Sequence, residues 1–138
     1  MRTGYLMAVK PVAKCVYVCD DVIFDAVSGK VSLLNLWDAV RVPKEAKFPY
    51  VLNRVCVFVW WRDGFGKSVT RVDIVQASTG KAIRRTRNYP LNFEKRASSI
   101  YGQYRIENCR FPEPGYYHVE VYCENEFVDD LVIQVYSA

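Results

Sequence analysis

Three observations predict an all-β protein, an antiparallel β-sandwich of about seven to nine strands. Apolar and polar residues alternate with a period of two in run after run, turn residues separate the runs, and Val, Tyr and Phe are abundant. The 138 residues suit a single domain with one core, spanning 1–138, in which 1–13 form a flexible or packing amino-terminal segment. A chain that is 51% hydrophobic and 25% charged is not a disordered one. No apolar run is long enough to cross a bilayer as a helix, so no membrane role is expected. Lys10, Pro11 and Lys14 break up the amino terminus before a secretory apolar segment can develop.

The first strand, 14–24, leads into the turn DAVSGK, where Gly29 can take a positive φ, and then into a strand over 31–42 that Pro43 stops. Within it the run VSLLNLW is irregular. Leu33 and Leu34 face opposite ways and Asn35 and Asp38 interrupt each side, which calls for a bulge or for burial on both faces. After KEAKFP comes the most apolar strand, 51–61, VLNRVCVFVWW, with Val55, Val57 and Val59 on one face and Cys56, Phe58 and Trp60 on the other. Gly64 and Gly66 turn the chain into SVTRVDIVQ, and STGK turns it again. A short basic strand is expected over 81–87, then NYPLNFEKRA as a connection, then a strand from 98 to 107 that sets Ile100, Tyr104 and Ile106 on one side.

The carboxyl-terminal third alternates most clearly. In FPEPGYYHVEVYCENEFVDDLVIQVY, Pro114 and Gly115 launch a strand whose Tyr117, Val119, Val121 and Cys123 face one way and whose Tyr116, His118, Glu120 and Tyr122 face the other; ENEF turns into a closing strand. The pattern PGYYHVEV before a hairpin resembles the last two strands of immunoglobulin-like sandwiches, and on that likeness Tyr117 packs inward and ties the corner through its hydroxyl. The wider frame of VCDDV, the SGK turn, SLLNLWDAVRVP, RVDIVQASTGK and the terminal segment resembles a family of small bacterial proteins known only as a domain of unknown function. The expectation is therefore a single Ig-like antiparallel β-sandwich from a bacterial cytoplasm, and the resemblance implies no catalytic residues.

Five cysteines, an odd number with no CxxC pair, point to reduced thiols in the cytoplasm, most of them serving as small core residues. The net charge of +4 is unevenly spread. Residues 81–110 hold eight Lys/Arg against two Glu, and 111–138 hold six Asp/Glu with no Lys/Arg.

Enzyme and metal readings rest on few residues. Asp20, Asp21 and Asp25 could share a divalent ion or shift one another's pKa, but strand alternation separates Asp20 from Asp21, and Asp25 opens a Gly-containing turn that favours aspartate anyway. His118 is the only histidine, so any catalytic constellation must use it, and it lies on the face opposite Tyr117. Cys15 and Cys19 share a strand face about 13 Å apart at ~3.3 Å per residue, too far to hold one zinc ion. GxGxxG, P-loop and HExxH motifs are absent. No catalytic residue, metal or cofactor is expected.

The stretch KAIRRTRNYPLNFEKR offers a basic surface of Arg84, Arg85, Arg87, Lys95 and Arg96 beside Tyr89 and Phe93. That combination could take single-stranded nucleic acid, or it could be an edge strand protected by charge. The second apolar face of 51–61 is the stronger signal. A two-sheet sandwich buries one face of each strand, so the other needs a cover: the amino-terminal segment, KEAKFPY, NYPLNF, a protein partner or a second copy in a homodimer. Trp37, Phe58, Trp60, Trp61 and Tyr116 form the candidate interface. The expected function is a non-enzymatic protein-interaction module, with nucleic-acid binding through 81–96 as the alternative and an enzyme or metal site as a third.

Overall fold

The structure, a computed structural model, describes residues 8–138. Ten strands form two sheets: β1 (Val12–Phe24), β2 (Val31–Trp37), β3 (Ala39–Val42), β4 (Tyr50–Arg62), β5 (Gly66–Gln76), β6 (Ala82–Arg85), β7 (Tyr89–Phe93), β8 (Ser99–Phe111), β9 (Gly115–Cys123) and β10 (Glu126–Ser137). The first sheet has the order β2-β1-β4-β8, and the second β3-β10-β9-β5-β6, with β7 also pairing with β5.

The strand count exceeds the expected seven to nine for two reasons. The apolar run 31–42 is two strands, because the chain bends at Asp38 and carries β3 across to the second sheet, where it pairs parallel with β10. NYPLNF is not a bare connection. Its residues 89–93 form β7 along β5, which continues the edge that β6 begins, with Thr86 bonded to Val72 between them. The β3–β10 pair also makes the second sheet mixed rather than wholly antiparallel.

The core lies between the sheets. Val16, Val18, Val57, Val59, Trp61, Tyr104 and Ile106 come from the first sheet to meet Val72, Ile74, Leu91, Phe93, Tyr117, Val119, Val121, Ile133 and Val135 from the second. Successive side chains of a strand alternate between faces, which is why Val55, Val57, Val59 and Trp61 of β4 and the odd-numbered residues from Tyr117 to Cys123 of β9 are those buried here. Two polar devices cross this core. Trp61 Nε1 donates to the Tyr104 hydroxyl at 3.0 Å, and that hydroxyl shares a 2.5 Å hydrogen bond with Thr70 Oγ1. Gly102 makes room for them, since a Cβ there would lie 2.8 Å from the Tyr104 ring and 3.1 Å from Trp61 Nε1. At the start of β9 the Tyr117 hydroxyl donates to the Glu113 carbonyl, the inward tie expected of it.

VSLLNLW carries neither of the features expected of it: the β1–β2 register runs without a shift, and Leu34 and Leu36 are exposed; the irregularity lies in the backbone of Asn35. Asn35 has φ +52°, opposite Asp20 in the β1–β2 pair, and its amide donates to the Asp20 carboxylate at 2.9 Å. Asn108 takes the same φ in β8. Asn tolerates the left-handed region better than other non-glycine residues, so β2 and β8 take this φ without glycine.

Candidate interaction surface

On the outer face of the first sheet, facing away from the core, cross-strand neighbours form three rungs. Cys15, Trp60 and Tyr101 make one, Tyr17, Phe58 and Gln103 the next, and Leu36, Cys19, Cys56 and Arg105 the third. Directly opposed residues in an antiparallel ladder point to the same face, so each rung is a contact row. Cys19, Val22, Cys56 and Phe58 are buried there, packed by Cys15, Val31, Leu33, Trp60 and Tyr101. The Tyr101 ring stacks on Phe58 with centroids 5.7 Å apart and tilts against Trp60 at 5.9 Å.

This is a second apolar cluster, and among the described residues its cover consists of its own side chains. Tyr17 is 41% exposed and Leu36 58%. Trp60 Nε1 is buried without an acceptor among the described residues. A buried indole N–H ordinarily finds a partner, and leaving one unmet costs about 1–3 kcal/mol. Two of the segments expected to fold over this face, KEAKFPY and NYPLNF, lie elsewhere. Ala46, Phe48 and Tyr50 pack on the inter-sheet core, as do Tyr89, Leu91 and Phe93. Val9 pairs with Phe65 beyond the end of β4, and residues 1–7 are outside the described residues.

The thiols of this face are inert in character. Burial and the neighbouring Cys56 push the Cys19 thiol up to about 12, and burial also raises Cys56 and Cys15. With Cys109 and Cys123 buried as well, four of the five cysteines are core residues.

The candidate interface residues do not form one surface. Phe58 and Trp60 lie on this outer face, whereas Trp61 points into the core and is fully buried, so it is not available to a partner. Trp37, half-buried at the sheet edge beside Val18, packs against the core from the other side of β2. Tyr116 is 56% exposed on β9, on the outer face of the second sheet. What the sequence reading missed was the contribution of Tyr17, Leu36 and Tyr101, whose signal was the cross-strand register and not the residues of 51–61 alone.

The outer face of the second sheet is ionic. Buried Asp73 accepts from Arg71 Nε at 3.1 Å and from Arg85 Nε at 3.1 and 3.2 Å. The Arg71 guanidinium sits 4.3 Å above the Tyr122 ring, and Tyr122 donates to Glu120 at 2.7 Å. His118 Nδ1 and Asp130 Oδ2 are 2.8 Å apart.

The expected acidic and basic groups are similarly engaged. Asp21 pairs with Arg105 at 2.8 Å and with Arg54 at 3.5 Å. Asp25 accepts from the Val27 and Ser28 amides and the Ser28 hydroxyl, which hold its carboxyl below the usual carboxylate range. Among the described residues no three His, Cys, Asp or Glu side chains are grouped to hold a metal ion. In the basic stretch, Arg84 donates to the Asn108 carbonyl, Arg85 serves Asp73, and Arg87, Lys95 and Arg96 are exposed. Phe93 is buried in the core and the Tyr89 ring lies 5.0 Å from Tyr104, so neither aromatic joins the arginines in an exposed stacking platform.

Comparison with known proteins adds one decisive finding: the model of a family described as "Family of unknown function (DUF6941)" matches residues 14–136. The chain belongs to the DUF6941 family. No curated protein matches it. Among solved structures, it is similar to the Pseudomonas fluorescens alkylpurine DNA glycosylase AlkC bound to DNA containing an abasic site analog, at 11% identity and a TM-score of 0.43. That likeness covers 87% of this chain and 30% of the glycosylase, so the chain spans under a third of that protein. No helix among the described residues is long and apolar enough to cross a membrane.

Proposed function

We propose that this protein is a non-enzymatic interaction module of the bacterial cytoplasm that binds another protein chain through the outer face of the β2-β1-β4-β8 sheet. The observation that supports this reading is the second apolar cluster on that face, with Tyr17 and Leu36 exposed beside it and the Trp60 indole donor unmet. Exposed apolar patches rimmed by polar groups mark binding surfaces, and aromatic side chains supply most of the energy there. The polar groups that an enzyme would need are bonded to one another: His118 to Asp130, Asp73 to two arginines, Glu120 to Tyr122.

A capture experiment with three baits tests the reading. Proteins retained by the wild type are expected to be retained by Tyr116→Lys, on the opposite outer face, and lost with Leu36→Lys. Equal capture by all three baits would remove the outer face of the first sheet from the account.

A further inference from the structure

The identity of the partner follows from the extent of the face and the charges around it. Resting on the reading above, we infer that the occupant of the outer face of the β2-β1-β4-β8 sheet is a second copy of this chain, joined face to face in a two-fold dimer.

Three of the four strands have 13 residues and β2 has 7. At about 3.3 Å per residue and about 4.8 Å between strands, the sheet presents roughly 700 Å². A stable complex of standard size buries about 800 Å² on each partner, so a second sheet of the same dimensions fits this area nearly edge to edge. Tyr17, Phe58, Cys19 and Cys56 occupy the central strands, with Leu36 and Tyr101 beside them on the edge strands, and charged groups lie towards both ends.

Those charged groups favour a copy over a partner of one sign. At one end Asp21, Arg54, Arg105 and Glu107 form a linked cluster with two charges of each sign, and at the other Lys14 pairs with Asp63. A two-fold contact brings the same patch against itself, and a rim with equal numbers of each sign carries no net charge to repel its copy. A strongly acidic or basic partner would find no opposing field on this rim. On the outer face of the second sheet Arg71, Asp73, Glu120 and His118 occupy the central strands, and the exposed apolar residues Tyr116, Phe127 and Val132 are set around these polar groups with no buried cluster beneath them among the described residues.

Sedimentation equilibrium across the micromolar range, on the wild type, Leu36→Lys, Tyr17→Lys and Tyr116→Lys, tests the inference. The expected result is a species of twice the 16.0 kDa chain mass for the wild type and Tyr116→Lys. Leu36→Lys and Tyr17→Lys are expected to weaken association at least tenfold with the circular dichroism spectrum unchanged, since both side chains are already partly exposed, and to lower the melting midpoint only at concentrations where the wild type is dimeric. A wild type that stays monomeric throughout overturns the dimer. If capture of another protein is still lost with Leu36→Lys, the interaction surface stands and only its occupant changes. A dimer indifferent to Leu36→Lys and Tyr17→Lys but broken by Tyr116→Lys would move association to the other sheet and overturn the inference.

Discussion

The outer faces of the two sheets are built by the same rule and finished in opposite ways. In both, every second residue of a central strand turns away from the core. Along β9 those residues are Tyr116, His118, Glu120 and Tyr122, and the polar members are met by Asp130, Arg71 and one another. Along β4 they are Cys56, Phe58 and Trp60; the two rings pack against Tyr101, and the Trp60 indole N–H has no acceptor among the described residues. A polar face satisfies itself within one chain. An apolar face is only partly covered by its own side chains, and the residual exposed area of Tyr17, Leu36 and their neighbours is gained only on contact with another surface.

Adjacent residues of β4 give the largest separation between the inner face and the outer. Trp61→Ala opens the core and breaks the bond to Tyr104, and is expected to cost about 3–5 kcal/mol in guanidinium unfolding. Trp60→Ala, one residue away, is expected to cost about 1–2 kcal/mol less, because its ring is only partly covered and its donor is unmet. Equal costs would mean that the outer cluster is as fully packed as the core.

A smaller effect comes with alkali. Burial pushes the Tyr104 hydroxyl up to about 12 from an ordinary 10.0, against the lowering influence of Thr70 and Trp61. A raised folded pKa means that the unfolded chain releases this proton first. Its contribution is whole below pH 10 and is lost as pH rises towards 12, a decline of about 3 kcal/mol at most. Cys19 adds to the same decline, since its unfolded thiol ionises from about pH 9. Urea unfolding of Tyr104→Phe should show a shallower fall over that window; an identical slope would contradict the assignment.

On the ionic face, Asp73→Ala leaves Arg71 without its buried carboxylate and is expected to cost about 2 kcal/mol, below the usual range for a buried pair because Arg85 is 60% exposed. Thermal melts with the Arg85→Ala control, expected to lose less than half as much, apportion it between the two arginines. The smallest effect on the stability of the single chain belongs to Leu36→Lys, within about 0.5 kcal/mol by denaturant titration at concentrations too low for association, although it is the variant expected to disturb association most.

Much of this contrast was legible in the residues, unevenly. The alternation of β9 and the inward Tyr117 could be read directly, because strand parity is strict and Pro114-Gly115 fixes where it begins. Asp25 was assigned to its turn by the same local chemistry that now holds it. Parity also places Trp61 with Val55, Val57 and Val59, so grouping it with Phe58 and Trp60 followed residue type where register should have ruled. The split at Asp38 was not legible, since nothing local distinguishes a bend that changes sheets from a bulge within one. Nor was the role of β7, whose Pro90 argues against a strand until an edge position is known. Tyr17, Leu36 and Tyr101 meet Phe58 and Trp60 only through pairing between β2, β1, β4 and β8, and long-range register is not written in any one segment.

The difference between the two outer faces is tested most directly by hydroxyl-radical footprinting of the wild-type protein at low and high concentration, read out residue by residue by mass spectrometry. The account predicts that Tyr17, Leu36, Trp60 and Tyr101 lose reactivity as concentration rises, while Tyr116, Tyr122 and Phe127 on the second sheet keep theirs. Protection at Tyr116, Tyr122 and Phe127 with Tyr17 and Leu36 unchanged would contradict it.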